Sequence, residues 1–446
     1  MTLSALCDFA LRARYADLPA DAIRQARRCL LDLVGVATAG RRTALSGIVH
    51  RFAATQLGAG VSPGARMLFD NRRASAAGAA LAGASTIDSF DAHDGHALTK
   101  GHAGVAILPA LLAVADAEQL AGKAQLDSQQ LLATLVIGYE IATRAGIALH
   151  ASACDYHTSG AWNALGCAAV SARLLGLDDE TLRQALGIAE YHGPRSQMMR
   201  CIDHPTMLKD GSGWGAFAGV SAAYLARDGF TGAPALTIEA PDQASIWGDL
   251  GRRWYILEQY LKPWPVCRWA QPSIEAAASL LADWHGSADE IARVEVETFH
   301  QAVRLGASVP TSTEAAQYAL GFPLAAFLVR RRLGADEIGP QGLADAAIAA
   351  MTRRIVLKED ATFSRAFPAE RWARVHVLLK SGRRLSSQPC TARGEAPYPL
   401  DDDAIVQKFG QLAEQLDPAR RDRILSCCLS SASWDAGTLL DSILAP

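Results

Sequence analysis

The sequence predicts a mostly α-helical large domain combined with a smaller α+β domain. Apolar residues at helical spacing, interleaved with alanine and glycine, dominate the chain up to about residue 265. The run Lys262-Pro263-Trp264-Pro265 then breaks this pattern, because two prolines so close together end helices. Residues 292–298 alternate apolar and charged side chains, as a half-exposed strand does. Residues 267–399 are therefore expected to form a small α+β unit, with helices again from about residue 400.

The helices of the first part can be located from their ends. The run Leu18-Pro19-Ala20-Asp21 favours a helix start, because proline and an acid suit the first turn. Residues 76–122, 128–150 and 164–177 predict further helices, the first of them interrupted by a polar stretch. The acids after Leu177 predict a cap for the next helix.

The small unit has its own signals. A helix is expected over residues 271–284, and another carries Tyr318 to Val329. Residues 374–379 and 384–386 flank Ser381-Gly382, which indicates a hairpin. Three consecutive acids at positions 401–403 then favour the start of a helical segment that runs to Leu444.

Composition excludes several classes of function. The chain has 446 residues, 50% hydrophobic and 20% charged, with a net charge of −3, so no nucleic-acid or acidic-membrane partner is expected. Its nine cysteines form no CxxC pair, which favours reduced thiols and a cytoplasmic location. We expect no signal peptide and no membrane-spanning helix, since no apolar run approaches the roughly 20 residues that a spanning helix needs.

The polar stretch 88–104 lies between two alanine-rich helical segments and carries the strongest chemical signal. It holds three aspartates, three histidines and a lysine, among them Asp88, Asp91, His96, Lys100 and His102. Three interpretations stand side by side: a metal-free acid–base set, a divalent-metal site, or a polar surface loop without chemistry. Neither HExxH nor paired cysteines accompany the histidines, so no metal is expected.

Other residues are candidates on chemical grounds. His157 precedes a predicted helix start, where backbone N–H groups attract carboxylates. Arg200 and Arg268 are candidate carboxylate clamps, because guanidinium binds carboxylate in a bidentate manner. The glycines after Lys209 do not form GxxxxGK, so nucleotide binding is not expected.

Several runs resemble the MmgE/PrpD family, which includes 2-methylcitrate dehydratases, cis-aconitate decarboxylases and iminodisuccinate epimerases. The most specific is Gly101-His102-Ala103-Gly104 followed by residues 107–113. Leu31-Asp32 with Gly35-Val36, and Gly138-Tyr139-Glu140, are similar to other family segments. The chain departs from the usual Asp-Asp-Thr before the final histidine, since Ala92-His93-Asp94 stands there.

The resemblance implies a fold, an assembly and a set of site residues. The last helices are expected to pack on the first domain, so that residues 1–266 and 400–446 form one discontinuous all-helical domain under a lid of residues 267–399. A homodimer is implied. The implied catalytic residues are His102, His157, Lys209, Asp91 and Tyr318, with Asp88, His96, Lys100, Arg200 and Arg268 binding substrate.

The implied reaction is cofactor-independent proton removal next to a carboxylate of a small polycarboxylate. We expect epimerisation of an iminodisuccinate-like substrate, because His96 and Lys100 would add bases to His102. A 2-methylcitrate-type dehydratase is the alternative, and a decarboxylase is a further one. A polycarboxylate-binding protein without activity and a metal hydrolase also stay open.

Overall fold

Helices make up most of the molecule, described here in a computed structural model over residues 3–123, 125–395, 398–430 and 432–445. The helices before residue 265 are α1 (Leu3–Cys7), α2 (Ala20–Gly40), α3 (Ala44–Gln56), α4 (Ala76–Asp88), α5 (Gly104–Leu120), α6 (Ser128–Ser152), α7 (Gly160–Leu175), α8 (Asp179–His192), α9 (Met198–Asp203), α10 (Ser212–Arg227), α11 (Leu236–Glu239) and α12 (Ala244–Trp247). The predicted helix start at residue 20 is confirmed, and Asp178 caps α8 through the backbone N–H of Thr181.

Helix α7 lies at the centre of this part and packs against α5, α6, α8 and α10. Small residues allow the close approach. A Cβ atom on Gly219 of α10 would come within 2.3 Å of the carbonyl oxygen of Ala164 on α7. The alanine- and glycine-rich composition therefore sets the short distances between these helices.

The expectation that the first part is entirely helical is wrong in two places. The two-residue strands β1 (Ala65–Arg66) and β2 (Arg73–Ala74) pair with each other. Strand β3 (Gly95–His96) lies inside the polar stretch and pairs antiparallel with β4 (Gln259–Tyr260). This second pair ties the polar stretch to the segment that leads to Lys262, a link that helical periodicity cannot reveal.

The α+β part contains a four-stranded sheet in the order β6-β5-β7-β8. The strands are β5 (Ile291–Thr298), β6 (Ile355–Glu359), β7 (Ala373–Leu379) and β8 (Arg384–Ser386). The predicted strand and hairpin are confirmed, since β7 pairs antiparallel with both β5 and β8. The helices of this part are α13 (Gln271–Asp283), α14 (His300–Val303), α15 (Thr313–Gln317), α16 (Gly321–Arg330), α17 (Ala335–Ile338), α18 (Pro340–Leu343), α19 (Ala346–Thr352) and α20 (Ala361–Ala366).

The sequence predicts that Tyr318 lies within a helix, and this prediction is wrong. Helix α15 ends at Gln317, and Tyr318 follows it as the C-cap. The backbone N–H groups of Leu320 and Gly321 both donate to the carbonyl of Gly306, which turns the chain before α16 begins. Gln317 and Tyr318 therefore project from an irregular turn towards the helical part.

The last helices are α21 (Asp402–Leu412), α22 (Pro418–Leu429) and α23 (Ala436–Leu444). Asp401 caps α21, as its position before two further acids indicated. Helices α21 and α22 pack on α2, at the opposite end of the sequence. The domain boundaries at 266/267 and 399/400 stay a prediction.

Helix α6 is longer and more apolar than the sequence led us to expect of any segment. By length and composition, Ser128–Ser152 is the one helix in the described part of the chain that would be able to cross a membrane. However, 94% of its most apolar window is buried inside the protein. The core helix of a folded domain gives the same signal.

Candidate active site

The polar stretch between α4 and α5 is folded into the interior. Asp91 is 2% exposed, His93 and Asp94 are fully buried, and His102 is 7% exposed. A surface loop without chemistry would leave such groups in water, so this interpretation is wrong. The buried charges need partners from elsewhere in the chain.

Asp91 forms an ion pair with Lys262, whose Nζ lies 2.5 Å from Oδ1 of the carboxylate. Both side chains are almost completely buried. Burial alone would raise the pKa of Asp91, but the charges of Lys262 and Lys209 hold it well below its usual range. Asp91 is therefore ionised and fixed against a cation.

His102 stacks edge-on against His93, with 4.4 Å between the ring centroids. Its Nδ1 donates to the backbone carbonyl of Asp94. That contact assigns the proton of the neutral ring to Nδ1 and leaves Nε2 as the basic atom. Nε2 lies 3.5 Å from Oδ2 of Asp210, which would stabilise the ring once it is protonated.

The surroundings of the cluster shift the pKa values of His102 and Asp88 in opposite directions. Burial and the nearby charge of Lys262 lower the pKa of His102 below 6.5, so its neutral form prevails at pH 7. Burial and the charge of Asp210 raise the pKa of Asp88 to about 8, against the opposing effect of Lys209. A base and a protonated carboxylic acid thus stand in one cluster, as acid–base catalysis requires.

Lys209 enters the same cluster from the turn before α10. Its backbone is left-handed, with φ +51°. The Nζ atom donates to Oε1 of Gln317 at 2.8 Å and lies over the ring of Tyr318, 4.7 Å from the centroid. The same Oε1 of Gln317 accepts the backbone N–H of Asp91 at 2.8 Å. One amide thus joins the lysine, the polar stretch and the α+β part.

Ser159 connects His102 to the chain around Lys209. Its hydroxyl accepts the backbone N–H of His102 at 2.9 Å and donates to Asp210 Oδ2 at 2.8 Å. Because Asp210 follows Lys209 directly, this bond fixes the lysine turn relative to the histidine. His102, Asp91, Lys209, Tyr318 and Asp88 are therefore brought together as predicted, although their roles stay predictions.

His157 lies at the edge of this group and not in it. It is partly exposed, and its Nδ1 bonds to the backbone carbonyl of Asp155 at 2.9 Å. Its backbone N–H donates to Nε2 of His150. In the part of the chain that the structure describes, no polar contact joins His157 to His102 or Lys209. The predicted convergence of three bases therefore holds for two of them.

In the described residues, the side chains of His96 and Lys100 make no polar contact with His102. The Nε2 atom of His96 lies 3.6 Å from Glu258. Lys100 is held in a left-handed turn, and its Nζ lies 5.2 Å from the ring centroid of Tyr156. The strand pair β3–β4 fixes His96 in this orientation. Neither residue supplies an additional base beside His102 in this conformation.

The two arginines predicted to bind substrate carboxylates differ in whether their guanidinium groups already have protein partners. Arg268 is almost fully buried and bonded to Glu395 at 2.7 Å and to the carbonyls of Ala392 and Arg393. Its guanidinium is thus engaged within the α+β part, which contradicts a role as a free clamp. Arg200 is exposed and has no side-chain partner among residues 3–123, 125–395, 398–430 and 432–445.

Arg200 lines a pocket of about 340 Å³ whose lining includes Lys209 of the cluster but not His102 or Asp91. Lys209 and Thr158 line the same pocket, with His204 and Trp214. The pocket therefore has basic groups at its mouth and at its inner wall. A small anion with several carboxylates matches this distribution of charge.

Asp91, His93 and His102 place one ligand atom each within 4.8 Å of one another, which is close enough for a metal ion. The donor set fits a divalent cation poorly, because Lys262 already neutralises Asp91 and Lys209 adds a second positive charge nearby. His93 Nε2 is buried without a hydrogen-bond partner and lies 4.0 Å from Oδ1 of Asp88. The expected absence of a metal stays a prediction.

Lys262, Asp210 and Gln317 were missed at the level of sequence. In the sequence, Pro263 and Pro265 predict a domain boundary at Lys262, and no local pattern marks the lysine itself as a site residue. Asp210 follows a predicted site residue directly and had no pattern of its own. Gln317 neighbours Tyr318, and only its contacts with Asp91 and Lys209 single it out.

Comparison with known proteins finds relatives that carry the name cis-aconitate decarboxylase and two matching family models. The chain is 23% identical to the cis-aconitate decarboxylase-like protein oryM of Aspergillus oryzae, over 98% of this chain and 95% of the relative. It is 25% identical to the cis-aconitate decarboxylase of Aspergillus terreus, over 42% of this chain and 38% of the relative. The model of the MmgE/PrpD N-terminal domain matches residues 4–244, and that of the C-terminal domain matches residues 264–431. The chain therefore belongs to the MmgE/PrpD family.

Proposed function

We propose that this protein is a cofactor-independent lyase that acts by acid–base chemistry on a small polycarboxylate. The observation that carries the proposal is the buried pairing of a neutral base with cations. His102 presents an unprotonated Nε2, while Lys209 and Lys262 lie in the same cluster. The relatives that carry the name cis-aconitate decarboxylase support a lyase.

Lys209, Arg200 and His204 are the groups that would bind the carboxylates. They line one pocket, with Lys209 on its inner wall and Arg200 exposed at the mouth. Binding of one carboxylate at Lys209 would place the adjacent carbon near His102. A second carboxylate at Arg200 would fix the orientation of the substrate.

In a dehydration, His102 Nε2 would take the proton from the carbon next to the bound carboxylate. The electron pair forms a carbon–carbon double bond as the β-hydroxyl leaves. Asp88, protonated below pH 8, would give its proton to that hydroxyl, so that water departs. Lys209 and Lys262 would stabilise the negative charge that develops on the carboxylate oxygens.

In a decarboxylation, the carbon–carbon bond to one carboxylate breaks and carbon dioxide leaves. The remaining carbanion takes a proton from an acid of the cluster. Both reactions need the same cations and the same exclusion of water, so they differ in substrate and in the order of proton transfers.

The epimerase expectation relied on His96 and Lys100 as additional bases. The contacts that these two residues make are with Glu258 and Tyr156, and among the residues that the structure describes neither has a polar contact with His102. We therefore place a lyase first, and epimerisation becomes an outcome that the assay distinguishes.

The test is a substrate panel followed by proton NMR in deuterated water. The panel contains hydroxylated tricarboxylates, unsaturated tricarboxylates such as cis-aconitate, and an imino dicarboxylate. We expect an unsaturated product from dehydration, or loss of one carboxylate from decarboxylation. Inversion with deuterium at the stereocentre would show epimerisation instead, and absence of turnover across the panel would contradict the proposal.

A further inference from the structure

Lys408 is a buried lysine on α21, far along the chain from the polar stretch that it contacts. It is 8% exposed, and its Nζ donates to Oδ1 of Asp32 on α2 at 2.6 Å. The same Nζ donates to the backbone carbonyl of Ala92, also at 2.6 Å. One ammonium group therefore joins the first long helix, a C-terminal helix and the stretch that carries the candidate catalytic residues.

The carbonyl of Ala92 lies between two residues of the candidate site. Ala92 is fully buried and stands between Asp91, which is paired with Lys262, and His93, which stacks on His102. Two residues further on, the carbonyl of Asp94 accepts the Nδ1 proton of His102. This backbone has no helical bonds of its own, so rotation of the Ala92 peptide would displace both neighbours.

The ion pair between Lys408 and Asp32 contributes little net stability to the fold, because both charges lose their hydration on burial. Burial raises the pKa of Asp32 and lowers that of Lys408, and the attraction between the two groups only offsets these shifts. Apolar residues of similar volume often stabilise such a position equally well. A hydrogen bond to the Ala92 carbonyl is the one contribution that an apolar pair would lack.

We propose that Lys408 is a positioning residue, which sets the orientation of Asp91 and the Nδ1–H tautomer of His102 through its bond to the Ala92 carbonyl. Asp32 balances the charge of Lys408, whose amine can donate to the carbonyl of Ala92 with or without that charge. The expected loss of turnover on removing Lys408 rests on the proposed function. The expected change in the tautomer of His102 does not rest on it.

Three variants separate positioning from folding. Lys408→Met removes the bond to Ala92 and leaves Asp32 buried without a partner. Lys408→Met combined with Asp32→Asn removes that uncompensated carboxylate as well. Asp32→Asn alone leaves Lys408 free to donate to Ala92. Arg66→Met combined with Asp116→Asn is the matched control, since Asp116 is a fully buried carboxylate paired at 2.7 Å with Arg66 on β1.

We expect the double variant Lys408→Met/Asp32→Asn to regain most of the urea midpoint lost in Lys408→Met. Its kcat should stay at least tenfold below wild type, with KM within twofold. Asp32→Asn and the control pair should keep kcat within threefold. Recovery of kcat together with stability in the double variant, or an equal loss of kcat in Asp32→Asn or in the control pair, would overturn the proposal.

Nitrogen-15 NMR of labelled histidines tests the same point without substrate. We expect the Nδ1–H signal of His102 in wild type and in the control pair, and a mixture of tautomers in Lys408→Met/Asp32→Asn. An unchanged tautomer in that variant would contradict the positioning role. A wild-type protein that turns over no member of the panel would contradict the proposed function alone.

Discussion

His102 has both a fixed proton on Nδ1 and a carboxylate, that of Asp210, 3.5 Å from Nε2. This combination fits a base that becomes a stabilised cation during the reaction. His93 has a looser version of the same arrangement, with Nδ1 3.4 Å from the carbonyl of Phe90 and Nε2 4.0 Å from Asp88. His96 has the opposite character, because its Nδ1 accepts the N–H of Leu98 and its Nε2 faces Glu258. His102 and His96 therefore form a natural pair for comparison.

We predict that His102→Gln lowers kcat by about 10²–10⁴-fold, the usual contribution of a general base. His96→Gln is the control in the same stretch and should keep kcat within about fivefold, since the ring of His96 contacts Glu258 and not His102 or Lys209. Circular dichroism and thermal unfolding check that both variants fold. Similar activity of the two variants would exclude His102 as the base.

The pH dependence of kcat/KM should be bell-shaped. The pKa of His102 is lowered, so its neutral form, and with it activity, is fully present above about pH 6.5 and is lost only on further acidification. The pKa of Asp88 is raised to about 8, so the acid is available below that pH and activity declines above it. Asp88→Asn should remove the alkaline decline and lower the rate. An alkaline limb unchanged in Asp88→Asn would assign it to another group.

The buried pair of Asp91 and Lys262 gives a prediction for stability. Lys262→Met should cost about 3–5 kcal/mol at pH 7, because it leaves a buried carboxylate without its main counter-charge. The folded-state pKa of Asp91 is depressed in wild type, so the stabilisation is present above the unfolded-state value and is lost as pH falls.

The deficit of Lys262→Met should therefore shrink on acidification, as Asp91 takes up a proton. Urea unfolding at pH 7 and at about pH 3, below the unfolded-state pKa of an aspartate, measures this difference. Adding Asp91→Asn should recover much of the stability at pH 7 and make the deficit insensitive to pH. A deficit that is constant with pH in the single variant would mean that Lys262 contributes through packing.

At the scale of elements, the turn between α15 and α16 connects the α+β part to the candidate site. It carries Gln317, which bonds to Lys209 and to the backbone of Asp91, and Tyr318, whose ring covers Lys209. Burial raises the pKa of Tyr318, so its hydroxyl stays protonated and can donate to a bound carboxylate. Movement of this turn would uncover Lys209.

We predict that Tyr318→Phe lowers kcat/KM by about tenfold, since one charge-assisted hydrogen bond to a carboxylate is lost. The ring over Lys209 is kept, so the melting temperature should change by less than about 2 °C. Steady-state kinetics and calorimetry measure the two effects. Unchanged kinetics would make Tyr318 a packing residue only.

Local patterns were sufficient to predict most of the elements, because helix starts such as Ala20 and the hairpin at Ser381-Gly382 depend on neighbouring residues. They were insufficient for the site. Lys262 lies 171 positions from Asp91, and Gln317 lies 226 positions from it, so no spacing rule joins them. The stretch 88–104 was found because its ionisable residues cluster in sequence. Chemistry alone could not show that His96 and Lys100 contact Glu258 and Tyr156.

At the scale of the whole molecule, the candidate site lies where segments from distant parts of the chain meet. The stretch 88–104, the turn at Lys209, the segment at Lys262 and the turn at Gln317 each contribute one side. Burial among these segments excludes water and strengthens the effect of each charge. The polycarboxylate substrate and the homodimer are proposals that this arrangement leaves to experiment.

The central claim is metal-independent proton transfer by His102, and one measurement tests it most directly. Wild type and His102→Gln are treated with a chelator, and incorporation of solvent deuterium into substrate or product is followed by NMR. We predict that chelated wild type keeps its full rate of proton transfer, seen as deuterium in the product of decarboxylation or in substrate re-formed by the reverse of dehydration, and that His102→Gln loses at least about 100-fold. Activity that disappears on chelation and returns with a divalent ion, or equal incorporation by the variant, would contradict the claim.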